Sequence, residues 1–150
     1  MNSLFKEKAT DRVPLDWALI FVCWLLACVA MLGSLFFSEV MGLKPCVLCW
    51  YQRIFMYPLV VILVMGLFPF DKTVSRYALP LAIIGWCFAV YHYFVYSGYI
   101  PESLQPCGED VSCAEINLEL LGFITIPMLS ILSFSAIIVM LFIVRNRKFP

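Results

Sequence analysis

Charge is what this 150-residue chain has least of. Only 13% of its residues are Asp, Glu, Lys or Arg, while 63% are hydrophobic and the mean hydropathy is +0.95. Soluble domains carry about 25% charged and about 45–50% apolar residues, so this composition points away from a water-surrounded globule. Four stretches, 17–38, 54–70, 77–100 and 120–144, contain no Asp, Glu, Lys or Arg at all. A bilayer core of roughly 30 Å is crossed by about 20 apolar residues in a helix. The second stretch is short for this and is read as reaching back to Pro45, giving expected spans of about 17–38, 45–70, 77–100 and 120–144. The loops left over are too short for a soluble domain. The expectation is an all-α integral membrane four-helix bundle, a single domain over residues 1–150.

Two further absences sharpen the picture. No small-x-small cleavage site follows the first span, and its apolar run of 22 residues exceeds the roughly 7–15 residues of a signal-peptide core. The span is therefore expected to persist as a helix. Basic residues are nearly missing from one side of the membrane. Lys6, Lys8, Arg12, Lys72, Arg76, Arg145, Arg147 and Lys148 fall on one side of a four-span arrangement, and only Lys44 and Arg53 on the other. Positive charge marks the cytoplasmic face, which puts both termini in the cytoplasm and both cysteine-bearing loops outside a cell membrane. The second outer loop, 101–119, has five acidic residues and no Lys or Arg. That excludes a nucleic-acid surface there and leaves membrane lipid as the expected surrounding.

Cysteine, by contrast, is plentiful. Of seven, Cys23, Cys28 and Cys87 lie within spans and read as small buried apolar side chains. Cys46, Cys49, Cys107 and Cys113 are all on the expected outer side, where disulfides persist. Pairing as 46–49 and 107–113 is the natural arrangement, with cross-pairing between the two sets as the alternative through which an electron relay would pass.

The stretch Pro45-Cys46-Val47-Leu48-Cys49-Trp50-Tyr51-Gln52-Arg53 carries the chemistry. In a helical first turn, positions i and i+3 are about 5–6 Å apart, inside the roughly 4.4–6.8 Å between Cα atoms that a disulfide accepts. Pro45 suits the first helical position, where a missing N–H has no effect. Both sulfurs then sit near the positive end of the helix dipole, which favours thiolate. Arg53, four residues after Cys49, shares its helix face. It reads either as an anchor at the membrane boundary or as a donor to an anion developing on a carbonyl oxygen beside Cys49. Such a charge-assisted bond contributes about 1.5–3 kcal/mol, and a quinone reduced by a thiolate needs stabilisation of this kind.

The outer pair reads differently. Closing the Cys107–Cys113 loop adds only about 2.4 kcal/mol by loop entropy, so exchange with another protein is favoured over a structural staple, although Glu109 and Asp110 between the cysteines disfavour thiolates. His92, the only histidine, reads either as a buried imidazole bonded to a tyrosine or as a proton or hydrogen-bond partner for a quinone. Pro58 and Pro127 are expected to bend their helices. Residues 114–123 read as an amphipathic stretch able to lie on the outer surface. A zinc site would need four closed ligands, which Cys107 and Cys113 would have to complete; the expected metal content is none. Rival readings are a vitamin-K-epoxide-reductase-like enzyme and a membrane scaffold with structural disulfides.

On these residues the chain resembles the bacterial DsbB-type disulfide bond formation proteins, of the shorter BdbC-like kind. The resemblance rests on Cys46-Val47-Leu48-Cys49 followed by Trp50-Tyr51-Gln52-Arg53, on four spans with a cysteine pair in the second outer loop, and on Gly122-Phe123-Ile124-Thr125-Ile126-Pro127. It implies a quinone-linked thiol–disulfide oxidoreductase that supports disulfide formation in exported proteins. Cys107 and Cys113 would take electrons from an extracytoplasmic thioredoxin-like thiol oxidase. Cys46 and Cys49 would reoxidise that pair, and Cys49 would contact the quinone (menaquinone or ubiquinone) with Arg53 beside it and His92 nearby.

Overall fold

A computed structural model describes residues 12–42, 44–101 and 125–147. Its four long helices are α1 (Arg12–Leu35), α2 (Val47–Leu67), α3 (Val74–Tyr96) and α4 (Ile126–Asn146). A π-helical turn, Phe36–Val40, continues α1. No strand occurs among the described residues. A helix of 21 residues, the length of α2 and α4, spans about 31 Å at 1.5 Å per residue. All four helices are long and apolar enough to cross a membrane. Each packs on its chain neighbour, and α1 closes the ring against α4. The chain is a multi-pass, all-α membrane bundle.

The helices form because lipid offers backbone N–H and C=O groups no partners, and a helix satisfies them within the segment. Their outward faces carry Val22, Leu32, Val61, Met65, Val139 and Phe142, all exposed, as suits a surface solvated by lipid. Inward, Ile20, Cys23 and Ala27 meet Leu59, Leu63, Ala78, Ala82, Phe134, Ile137 and Leu141. Small residues let backbones approach where hydrocarbon outside gives no hydrophobic drive. Gly85 of α3 is the sharpest case: a Cβ there would lie 2.5 Å from the Phe134 ring of α4.

One end of the bundle is tied by ions. Asp16, almost fully buried, accepts from Lys72 Nζ and from Arg147, each at 3.4 Å. Lys72 also donates to the Arg147 carbonyl. The start of α1, the α2–α3 link and the end of α4 are thereby joined. The other end holds the cysteine pair.

Several local expectations shift. Pro45 is not the first helical residue. Cys46 is the extended N-cap (φ −69°, ψ 166°) and the helix begins at Val47, because the cap position tolerates non-helical backbone and Pro45 leads into it. Pro127 lies in the first turn of α4, where a missing N–H is harmless, so it does not bend a helix interior; Pro58 and Pro80 are the interior prolines. α2 stops at Leu67, ahead of extended Phe68 and Pro69. Of the in-span cysteines only Cys23 is fully buried; Cys28 is half-buried, and Cys87 faces outward and is exposed. Residues 114–123 lie outside the described residues.

Candidate active site

Capping geometry separates the two thiols. Cys46, at the N-cap of α2, points into a small apolar cluster with Leu48 and Val95 and is 2% exposed. Cys49, two residues into the helix from Val47, is half-buried. Their sulfurs are 3.2 Å apart, within hydrogen-bond reach. A disulfide needs about 2.05 Å, so closure requires movement of only about 1 Å.

His92 of α3 faces Cys46. Its Nε2 is 3.7 Å from Cys46 Sγ, and Gln52 Nε2 is 3.1 Å from its Nδ1. With the amide nitrogen donating to Nδ1, the imidazole carries its proton on Nε2, directed at the sulfur. Cys46 lies just outside the span that begins at Val47. Its thiol is pulled well below the usual range, first by the hydrogen bond from Cys49 and then by that of His92, which together outweigh the opposing effect of burial.

Arg53, one turn along α2 from Cys49, is buried. Its Nε donates to Ser34 Oγ at 2.8 Å and one Nη to the Ser34 carbonyl at 2.6 Å. Its guanidinium carbon is 5.3 Å from the centroid of the Trp50 ring, a cation–π distance. Ser34 lies just before α1 passes into its π-helical turn, so the cation is held where the helix changes register.

A partly open cavity of about 390 Å³ lies among α1, α2 and α4. Leu26, Val29, Ala30, Phe37, Met56 and Phe134 supply apolar wall; Cys49, Gln52, Arg53, Ser34 and Lys44 supply polar edges. Volume and lining are those of a small-molecule site, mostly apolar with a few placed polar groups. Cys49 and Arg53, placed on one face from their spacing, both border it. His92 does not, and neither does Cys46. Cys107 and Cys113 lie outside the described residues.

Sequence alone assigns no role to Gln52 or Ser34. Gln52 had a usable signal, a polar side chain inside an apolar span. Ser34 had none beyond being small and polar.

A family model of the disulfide bond formation protein DsbB matches residues 16–144. The chain belongs to the DsbB family. Among relatives, it is 44% identical over 137 residues to a probable disulfide formation protein of Metapseudomonas resinovorans, covering 91% of this chain and 95% of that one. It is 42% identical over 129 residues to disulfide bond formation protein C of Bacillus subtilis, covering 86% and 94%. A probable disulfide formation protein C 2 of Bacillus cereus is 48% identical over 129 residues, covering 86% and 92%. No solved structure gives a significant match. As a DsbB-family member the chain is a membrane thiol–disulfide oxidoreductase, and its role entails a thiol–disulfide partner protein.

Proposed function

We propose that this DsbB-family protein reoxidises an extracytoplasmic thioredoxin-like dithiol oxidase and passes the two electrons to a membrane quinone, so sustaining disulfide formation in exported proteins. The observation that carries the reading is the two-sided setting of the thiol pair. Cys49 borders the cavity with Arg53, while Cys46 is held by His92 away from it. One side of the pair serves thiol exchange and the other serves an acceptor.

The cavity suits a quinone head. Its walls are apolar, as a ring and isoprenoid tail require. Two of Arg53's five N–H groups go to Ser34, which leaves donors for a carbonyl oxygen. A quinone supplies a two-electron, two-proton acceptor; the rest is done by the chain. The partner thiolate attacks the Cys107–Cys113 disulfide, forming a mixed disulfide and releasing one outer thiolate, and the partner's second thiol closes its own disulfide. An outer thiolate attacks Cys46 Sγ of the closed Cys46–Cys49 bond, and the bonding electrons leave on Cys49. The Cys49 thiolate is released beside the Arg53 cation at the cavity edge. When the outer pair recloses, Cys46 leaves as a thiolate under the Nε2–H of His92. Re-forming the Cys46–Cys49 bond then gives up two electrons at the cavity.

Charge sorting supports the orientation. The ion-tied end carries Lys72 and Arg147, and the thiols occupy the opposite end, outside a cell membrane by the positive-inside rule. The deciding assay is quinone reduction by purified protein supplied with a reduced thioredoxin-like partner. Cys49→Ser is expected to abolish turnover; unchanged turnover sinks the scheme.

A further inference from the structure

We propose that the reduced Cys46–Cys49 pair and His92 form a binding site for a thiophilic d10 cation, zinc in the first instance, which holds the pair in its dithiol state. The Cys46 and Cys49 sulfurs and a ring nitrogen of His92 lie within 4.8 Å of one another. Tetrahedral zinc, with Zn–S of about 2.3 Å and Zn–N of about 2.0–2.1 Å, sets neighbouring sulfurs about 3.8 Å apart and sulfur from nitrogen about 3.6 Å apart. Cys46 Sγ and His92 Nε2 already stand at 3.7 Å, and the sulfurs at 3.2 Å need to part by only about half an ångström.

The surroundings favour a metal-bound state. The thiols come from α2 and the imidazole from α3, so the donors converge from two helices. A metal-ligating histidine places its second N–H on an acceptor. Gln52 stands 3.1 Å from Nδ1, and turning its amide presents the oxygen to that N–H. Two thiolates cancel the charge of a divalent ion, which suits a site where Cys46 and His92 are both buried. The fourth position stays open for water or an incoming thiolate. A zinc site read from sequence had to draw all four ligands from cysteines; the fold supplies His92 as the third donor without the outer loop.

Metal and disulfide are mutually exclusive. Coordination draws electron density from each sulfur and lowers its nucleophilicity, the Cys46–Cys49 bond forms only as the ion leaves, and the closed pair offers no thiolate to the ion. Zinc therefore captures the enzyme between turnovers, after electrons have entered the pair and before they leave. This holds whatever acceptor fills the cavity.

The test uses the full chain in detergent, reduced under anaerobic conditions and without quinone. Zinc is titrated against a chromogenic chelator, and cobalt(II) serves as an optical probe. One ion per chain is expected, with tetrahedral cobalt bands and thiolate-to-cobalt charge transfer. The Cys107→Ser/Cys113→Ser variant should keep the site. Cys46→Ser or Cys49→Ser should lose the charge-transfer signature of a two-thiolate site, and His92→Ala should weaken zinc binding at least about 10-fold, with His92→Gln as a second variant and helical circular dichroism confirming the fold of each. Disulfide-closed protein should bind none. Zinc lost on removing the outer cysteines, or held equally by folded His92→Ala, overturns the proposal. Because no quinone is present, failure of the acceptor reading leaves this result standing.

Discussion

Deleting the hydrogen-bond donor at position 49 should move the titration of Cys46 upward, by an amount the geometry sets. The Cys46 sulfur has two donors in reach, Cys49 at 3.2 Å and His92 Nε2 at 3.7 Å. Hydrogen bonds to a charged group contribute about 1.5–3 kcal/mol, and one pKa unit corresponds to about 1.36 kcal/mol. Each donor therefore favours the thiolate by about one to two pH units. Cys49→Ser keeps an O–H donor; Cys49→Ala removes it while keeping the site small. The assay is the pH dependence of labelling at Cys46 by a small neutral alkylating reagent, read by mass spectrometry of the Cys46 peptide. Because the folded thiol is depressed, labelling in Cys49→Ser should persist to lower pH. In Cys49→Ala the inflection should rise by about one to two pH units, and in Cys49→Ala/His92→Ala it should rise again. Coincident profiles for the serine and alanine variants would refute a donated hydrogen bond as the leading cause.

Other consequences can be measured on the same protein. Arg53→Lys keeps the charge but loses the planar fork that engages Ser34 twice; quinone reduction is expected to fall by about 100-fold, as for loss of one positioned donor, with partner exchange at the outer loop retained. Asp16→Ala leaves Lys72 and Arg147 without their shared carboxylate. Both cations are partly solvated, so the loss should be about 1–3 kcal/mol, below the cost of breaking a fully buried pair, read as a lower unfolding midpoint in detergent. Gly85→Ala forces its Cβ against the Phe134 ring and should destabilise by about 1–3 kcal/mol, with Gly85→Ala/Phe134→Leu recovering part of the loss in thermal melts.

The membrane architecture was legible because it rests on absence. A stretch without charge has few alternatives to spanning, and the four helices follow from it. The pairing of Cys49 with Arg53 was legible for a similar reason: four residues along a helix is a local geometry that tertiary packing does not alter. Contacts between helices were not. Asp16 meets Lys72 and Arg147 across 56 and 131 residues, which depends on which helix ends share a side and how each is rotated. The rotation of α3 likewise decides that His92 turns to Cys46 and Gln52 and not to the cavity. The shift of Pro45 out of the helix came from the cap itself, where one residue of register determines whether Cys46 is inside the helix or at its door.

Phe134 has two neighbours that never meet. It borders the cavity, and its ring edge rests where a side chain on Gly85 would stand. This part of the cavity wall is thus backed by a residue on α3, a helix that contributes nothing to its lining. Bulk added at position 85 presses on the Phe134 ring that borders the cavity, so exchanges at these two positions are expected to act together on the size of molecule the cavity admits. A variant with a smaller or larger cavity would carry its change in the bundle core, on a different helix from the thiols.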